Sequence, residues 1–440
     1  MKALRKSVVG VAAIGAGALM LSGCAGSEPT TDAEGQIVVT LWHSMRGNNG
    51  EAFQEIVEDF NDSQSEIVVN ASEQGMYDEA YTKLLQVVGT DEAPDVMQMG
   101  NMRETVEAGL ITPMQEFIDA DDQFDIESLQ PVLRASWSMD GALQYMPQSA
   151  STNVVFYNAD AFEEAGLDPD EVQTYEDFEE AARTLQEEAG MDYGAAFLID
   201  GGVVQTLMGL RGEPLLDNGN GREAAPTEAV FNSSAGVETM TWIQDMYEDG
   251  LTGNYGRSFD DLRQPWYAGQ VGMIGDTTAA TIMHTQSADF AFDSMPLPVP
   301  EGETSAGVST GGNGMAIFAD APEETQQAAY EFVRFASSPE IQARWAANTG
   351  YFPVVEEAYD EQVLIDAMDE IPALASANNQ ELADGQDPNS LSSLSGVSAT
   401  SELSDVWEAL YDGGDPQTVL DQSAAEITSQ LETYNQANQN

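Results

Sequence analysis

Residues 37–42 read IVVTLW, an apolar run rich in β-branched side chains, and the turn-forming GNNG of Gly47–Gly50 follows it. Phe53, Ile56, Val57 and Phe60 then recur at i, i+3, i+4 and i+7, which places four apolar side chains on one face of a helix. A second strand-like run, Ile67–Val69, comes next, then a helical pattern over 77–88 and a short buried-strand pattern, PDVMQM, over Pro94–Met99. Short apolar runs that alternate with amphipathic helices predict an α/β fold with parallel strands, because each helix must return the chain across the sheet.

Working outward, Thr174 precedes a stripe of Phe178, Ala181, Ala182 and Leu185 and reads as a helix N-cap. VGMI at Val271–Ile274 predicts another strand. Glu323–Ala336 carries an inward stripe of Ala329, Phe332, Val333 and Ala336. Two helices close the chain, one around Leu403, Val406, Trp407 and Leu410. The other begins at Asp415-Pro416, where proline suits a first helical position that needs no amide donor. Residues 376–401 are rich in Ser, Asn and Gly and read as a surface loop or a ligand-contacting segment.

The 440 residues exceed what one hydrophobic core holds, so two or three domains or two lobes are expected. Hydrophobic residues make up 42% of the chain, enough to exclude wholesale disorder despite a formal charge of −62. Only 14 Lys and Arg stand against 76 Asp and Glu, so the chain lacks the basic clusters that neutralise phosphates, and nucleic acid is not an expected partner. One cysteine makes no disulfide framework.

That cysteine has a context of its own. Lys2, Arg5 and Lys6 precede an apolar run from Val8 to Leu21, which ends in Leu21-Ser22-Gly23-Cys24. The layout is a secretory leader with a lipobox, too short to span a membrane, in which Cys24 becomes the lipidated first residue of the mature chain. Loss of residues 1–23 removes three basic residues and takes the charge to about −65. Residues 24–36 then read as a flexible tether, with the protein anchored to the outer face of a membrane. A carboxylate-covered surface with one mature lysine, Lys83, suits a salty medium that screens self-repulsion.

Enzyme motifs fail on inspection. Gly307-Val-Ser309-Thr-Gly311 matches a nucleophile elbow, but no histidine follows Ser309, since the two histidines are His43 and His284. A serine hydrolase is therefore a remote alternative. Asp119, Asp121 and Gln123 imitate the start of a calcium loop, yet Phe124 stands where glycine is required. No metal or other cofactor is expected.

Seven blocks occur in a characteristic order: Trp42-His-Ser-Met, Ala93-Pro-Asp-Val, PQSASTNVVFYN over Pro147–Asn158, Ala161-Phe162, AGLDP over Ala165–Pro169, AGQVGM over Ala268–Met273 and TGYFP over Thr349–Pro353. Together they resemble the family 1 extracellular solute-binding proteins of ABC importers, and within that family the branch that takes sn-glycerol 3-phosphate. The resemblance implies a two-lobed, type II periplasmic-binding-protein fold with hinge strands between the lobes and ligand in the interlobe cleft. It divides the chain into a first lobe of residues 37–149 and 297–358 and a second of residues 150–296 and 359–440. Crossings are expected near Ser149–Thr152 and Pro298–Thr310.

By matching positions, the resemblance implies ligand contacts from Tyr77, Ser151, Gly311, Gly312 and Tyr351, with Thr277 and Thr278 after the Gly-x-Met strand. Arg46 is the candidate basic residue, and Asn101 stands where the family carries an acid. His43 either donates to a ligand hydroxyl or packs beneath its loop. The family's cleft tryptophan has no counterpart, and no Arg or Lys follows Arg344, where a phosphate-pairing arginine is expected. A phosphate is best held by charge-assisted bonds from arginine. The implied reading is thus a monomeric, non-enzymatic binding protein that hands a neutral oligosaccharide or polyol to an ABC permease. Glycerol 3-phosphate or a glycerophosphodiester is the alternative.

Overall fold

A computed structural model describes residues 29–438. The leader, Cys24 and the first residues of the tether lie outside the described residues. The rest of the tether departs from expectation. Asp32 accepts from the amides of Glu34 and Gln36 at 3.0 and 2.8 Å, and Val38 N donates to Thr30 O at 2.9 Å, so residues 30–36 fold back on the first strand.

Ten strands carry the architecture: β1 (Ile37–His43), β2 (Ile67–Glu73), β3 (Val96–Met99), β4 (Ile111–Thr112), β5 (Met146–Ser151), β6 (Asn153–Asn158), β7 (Tyr193–Phe197), β8 (Val271–Thr277), β9 (Phe292–Met295) and β10 (Gly311–Phe318). One sheet runs β2-β1-β3-β10-β4, with β5 added on β10; the other runs β9-β6-β8-β7. β1 is parallel to β2 and β3, and β8 to β7, as the strand–helix alternation predicts. The remaining pairs, including β10 on β3 and β5, are antiparallel. β10 enters its sheet from the other lobe, at the edge toward which β1 and β3 run, so it must point the opposite way.

Each sheet organises a core. In the first, Val39 and Leu41 of β1 meet Phe53, Ile56 and Phe60 of the helix Gly47–Ser63, with Phe332 and Trp345 behind them. In the second, Val155 and Met273 meet Phe178 and Leu185 of the helix Tyr175–Glu187. That helix is closed at its start by a reciprocal cap: Thr174 Oγ1 accepts from Asp177 N at 3.1 Å, and Asp177 accepts from Thr174 N at 3.0 Å. The last helix begins at Pro416.

The chain first crosses between lobes at Thr152, which separates β5 from β6, and crosses back over residues 296–310. The lobe boundaries differ from expectation at two places. Leu297 and Val308 pack in the second core, so the return is complete only at Gly311. Leu364, Leu374, Ala383 and Leu391, expected with the second lobe, pack in the first core, because the helix Gln362–Glu370 lies against Pro339–Thr349. Leu403, Trp407, Leu420 and Ile427 rejoin the second core. Among the described residues no helix is long and apolar enough to cross a membrane.

Candidate functional site

Within the first sheet, β5 and β10 pair at the point where both strands lead to the lobe crossings, and several of the expected ligand residues collect around that seam. Ser151 pairs with Gly311, Ala150 with Gly312 and Ser149 with Asn313. Gly312 has φ of +122°, and a Cβ there would lie 1.9 Å from Ser149 O, so only glycine fits. Gly311 and Gly312 are exposed and present bare backbone to the cleft. Ser151 is half-buried beside them.

Tyr77 opens the helix Tyr77–Val87 and aims its hydroxyl at this edge, where it accepts from Asn313 Nδ2 at 2.8 Å. Tyr77 keeps 37% of its surface exposed although protein surrounds its phenol, the combination a cleft produces. Burial first, and the nearby Tyr351 phenol second, hold its pKa above the usual tyrosine range. Tyr351 stacks on Trp345 with ring centres 5.4 Å apart, and burial, partly offset by Asn49, pushes its phenol up to about 12. Two phenols, a carboxamide and open glycine backbone thus share one wall. Such a surface stacks on C–H patches and pairs with ligand oxygens.

Arg46 stands at the rim. Its side chain is 61% exposed, with Nε 3.5 Å from Glu73 and Nη1 on the Met76 sulfur. Asn101 is half-buried, its amide donates to Glu104 at 3.2 Å, and its carbonyl accepts from the Tyr145 hydroxyl at 3.2 Å. Burial raises the Glu104 carboxyl above its ordinary value.

His43 and Thr278 are buried away from the open wall. His43 is buried beneath the loop, with its ring 4.9 Å from Phe53 and Nδ1 accepting from Met45 N at 3.3 Å; burial lowers its pKa. Thr278 is fully buried and its hydroxyl accepts from Thr152 N at 3.3 Å, a clasp between strands that leaves it off the cleft wall. Thr277, half-buried at the end of β8, lies nearer the surface, with its amide on Asp276.

Ser309, the remote nucleophile candidate, is buried at 4% exposure, and its carbonyl accepts from Thr152 Oγ1. Both histidines are engaged elsewhere: His43 with its own loop, His284 with Tyr267 at 3.1 Å and 3.3 Å from Asp276. Among the described residues no group of three or more His, Cys, Asp or Glu side chains could hold a metal ion.

The bacterial extracellular solute-binding protein model matches residues 55–409. The chain belongs to that family. This solute-binding protein is 25% identical over 415 residues to the sn-glycerol-3-phosphate-binding periplasmic protein UgpB of Yersinia pestis, covering 91% of this chain and 93% of that one. It is 25% identical over 338 residues to UgpB of Escherichia coli K12, covering 75% and 77%. Its fold matches UgpB of Mycobacterium tuberculosis in complex with glycerophosphocholine, with a TM-score of 0.73 at 21% identity, over 93% of this chain and 98% of that one. It also matches the GacH receptor of Streptomyces glaucescens, solved unliganded and with acarbose, with a TM-score of 0.74 at 18% identity over 90% and 98%. The architecture is therefore that of type II periplasmic binding proteins. The chain is the solute-binding component of an ABC importer and acts outside the cytoplasm.

Several polar residues of this binding protein escaped the sequence reading. Gln98 Nε2 donates to Gln148 Oε1 at 2.5 Å, Ser149 Oγ donates to the same oxygen, and Gln98 Oε1 accepts from Ser44 N at 3.3 Å. Ser149 of this buried group pairs across the strands with Asn313, which bonds Tyr77, and Asn313 Oδ1 and Ser44 Oγ have no partner among the described residues. An orphaned buried acceptor carries a penalty of about 1–3 kcal/mol unless something donates to it. The available signals were glutamines inside the apolar runs at 94–99 and 146–151 and an asparagine inside GGNGMAIF.

Proposed function

We propose that this chain is a lipid-anchored binding protein that captures a neutral oligosaccharide or polyol by closure of its lobes and presents it to the permease. The carrying observation is how Arg103 and Arg222, the arginines that reach the segment around Ser392–Leu394, are engaged. Arg103 donates to the carbonyls of Leu394 at 3.1 Å and Gly221 at 2.5 Å and to Glu107 at 2.8 Å. Arg222 donates to Ser392 O at 2.6 and 2.9 Å and to the carbonyls of Ala135 and Ser136. Both guanidiniums are turned onto backbone carbonyls, with Glu107 beside Arg103, whereas the cleft wall offers aromatic faces, amides and hydroxyls. Closure follows the ligand's differential affinity for the closed state.

A second reading keeps a glycerophosphodiester or glycerol 3-phosphate. It is favoured by the exposed Arg46 at the rim and by the ligands named for the UgpB relatives. Thermal-shift and calorimetric screening of maltooligosaccharides and polyols against glycerol 3-phosphate and glycerophosphocholine decides between the two. Binding of phosphorylated compounds alone, abolished by Arg46→Gln, would overturn the neutral-ligand reading. The anchor is tested separately: Cys24→Ala should move the protein from the membrane fraction to the medium.

A further inference from the structure

A second cavity lies away from the cleft. It encloses about 800 Å³ between the second lobe, the returning crossing and residues 376–381, and none of the residues assigned to the cleft lines it. Its walls come from residues 169–174, from β9 and residues 296–305, and from residues 376–381. Parallel bridging of Thr174 to Val299 draws the first two together, with Val299 N donating to Gln173 O at 3.1 Å.

Tyr157 marks the base. It is 9% exposed, packs on Phe162 with ring centres 4.6 Å apart, and pairs across the strands with Asp293, so both side chains leave the sheet on the same face. Its hydroxyl has no hydrogen-bond partner among the described residues. Burial, then Asp293, Asp170 and Asp168, push that phenol up to about 12, so three carboxylates stand near it.

The lining is one-sided in charge. Asp170, Asp293, Glu303 and Glu381 contribute carboxylates, and no Lys, Arg or His lines the cavity. Glu303 is already matched, because Arg211 grips it through Nε at 2.8 Å and Nη2 at 2.6 Å. Asp293 accepts only from the amide of its neighbour Ser294, and Asp170 and Glu381 make no ion pair among the described residues. Between these charges run the apolar side chains of Val172, Met295, Leu297 and Val299. Separated carboxylates across an apolar floor, with the Tyr157 phenol facing the cavity at its base, complement ammonium groups joined by methylenes. Metal ions are a poorer fit, since the carboxylates do not converge into a ligand cluster.

We propose that this cavity is a second binding site, for an aliphatic di- or polyamine, distinct from the interlobe cleft. Ammonium groups bond Asp293, Asp170 and Glu381, the Tyr157 oxygen accepts from one of them, and the methylene chain lies on Val172 and Leu297.

The test is calorimetric titration of the full mature chain with putrescine and spermidine at 0.15 M salt, with ethylammonium as a single-charge comparison. Saturable binding is expected, tighter for the polyamines than for ethylammonium. Asp293→Asn with Glu381→Gln should weaken it at least tenfold. Tyr157→Phe, which keeps the packing on Phe162, should weaken it several-fold. Glu55→Gln with Glu58→Gln, an equal charge change at exposed positions on the helix Gly47–Ser63 of the first lobe, should leave it unchanged. Absence of saturable binding would overturn the proposal. So would equal losses in the cavity and control variants, since that pattern is binding to the acidic surface at large.

Discussion

Thr152 Oγ1 donates to the carbonyl oxygen of Ser309 at 2.9 Å, and this bond joins the two main crossings between the lobes. The same threonine exchanges two further bonds with β8's end: its amide donates to Thr278 Oγ1 at 3.3 Å, and its carbonyl accepts from Thr278 N at 2.9 Å. One residue thus ties the outgoing crossing, the returning crossing and the second sheet together. Thr152 and both its partners, Ser309 and Thr278, are buried.

Thr152→Val keeps the shape of the side chain and removes only the donor. It leaves a buried Ser309 carbonyl unpaired, which costs about 1–3 kcal/mol. Chemical denaturation should register that loss. Because the bond spans the pivot, the variant should also show altered ligand affinity with the cleft residues untouched. Wild-type stability in Thr152→Val would show that the crossings are held by packing alone.

Tyr77→Phe tests the cleft wall. Asn313 is 1% exposed and its Oδ1 already lacks a partner, so loss of the Tyr77 oxygen leaves Nδ2 unpaired as well. Stability should fall by about 1 kcal/mol or more, and affinity for whichever ligand the screen selects should fall about tenfold, the equivalent of about 1.4 kcal/mol. Tyr77→Ala should bind more weakly still, since the stacking face goes too. Unchanged calorimetric affinity in both variants would remove Tyr77 from the site.

The frame of the molecule was legible because it follows from periodicity. The stripe Phe53, Ile56, Val57, Phe60 is buried as its spacing requires, and Thr174 caps the helix it precedes. What the residues alone could not supply was the direction and partner of segments that return from the other lobe. Nothing local in GGNGMAIF says that it runs antiparallel to β3, and nothing in Leu364 or Leu374 says which core they enter. Tyr77 and Gly312, singled out as candidate contacts, lie at one strand edge, where Tyr77 reaches Asn313 and Gly312 needs its positive φ. The site was misjudged at Thr278, because a hydroxyl suited to a ligand is equally suited to an amide, and only the fold shows that Thr152 reaches it first. Gln98, Gln148 and Asn313 were missed because each sits inside an apolar strand pattern.

Asp276 gives a pH prediction. It is fully buried, with Oδ2 accepting from Arg263 Nε at 2.7 Å, Oδ1 from Arg263 Nη2 at 3.0 Å, and His284 Nε2 3.3 Å away. Burial alone would raise its carboxyl; the hydrogen bonds and charges of His284 and Arg263 outweigh it and lower the pKa from 3.8 to about 2. The folded state therefore holds the carboxylate ionised where the unfolded chain would protonate it. That contribution is present above about pH 4 and is lost as pH falls toward 2. Asp276→Asn should cost about 3–5 kcal/mol near neutrality, since it leaves the Arg263 charge buried without a counter-ion. The gap between wild type and variant should narrow progressively below pH 4. A gap independent of pH would mean that Asp276 acts through packing and not through its charge.

The charge of −62 predicts a salt dependence of stability. The ion pairs that the described arginines make are mostly at the surface, as Arg183 with Asp249 and Arg257 with Asp405 and Glu408 illustrate, and they are too few to neutralise the carboxylates around them. Folding concentrates that like charge, and the repulsion acts over a Debye length of about 30 Å at 0.01 M salt, about 10 Å at 0.1 M and about 3 Å at 1 M. Two opposed effects follow from added salt: surface pairs weaken by a few tenths of a kcal/mol each, while net repulsion among the unpaired carboxylates is screened. Unpaired acids far outnumber the pairs, so screening wins. The melting temperature should rise by several degrees between 0.01 and 1 M sodium chloride, with much of the rise below 0.3 M, where the Debye length shrinks most. A flat profile over that lower range would show that solvent already holds the carboxylates apart, and would leave the acidic excess without a stabilising role for salt to play.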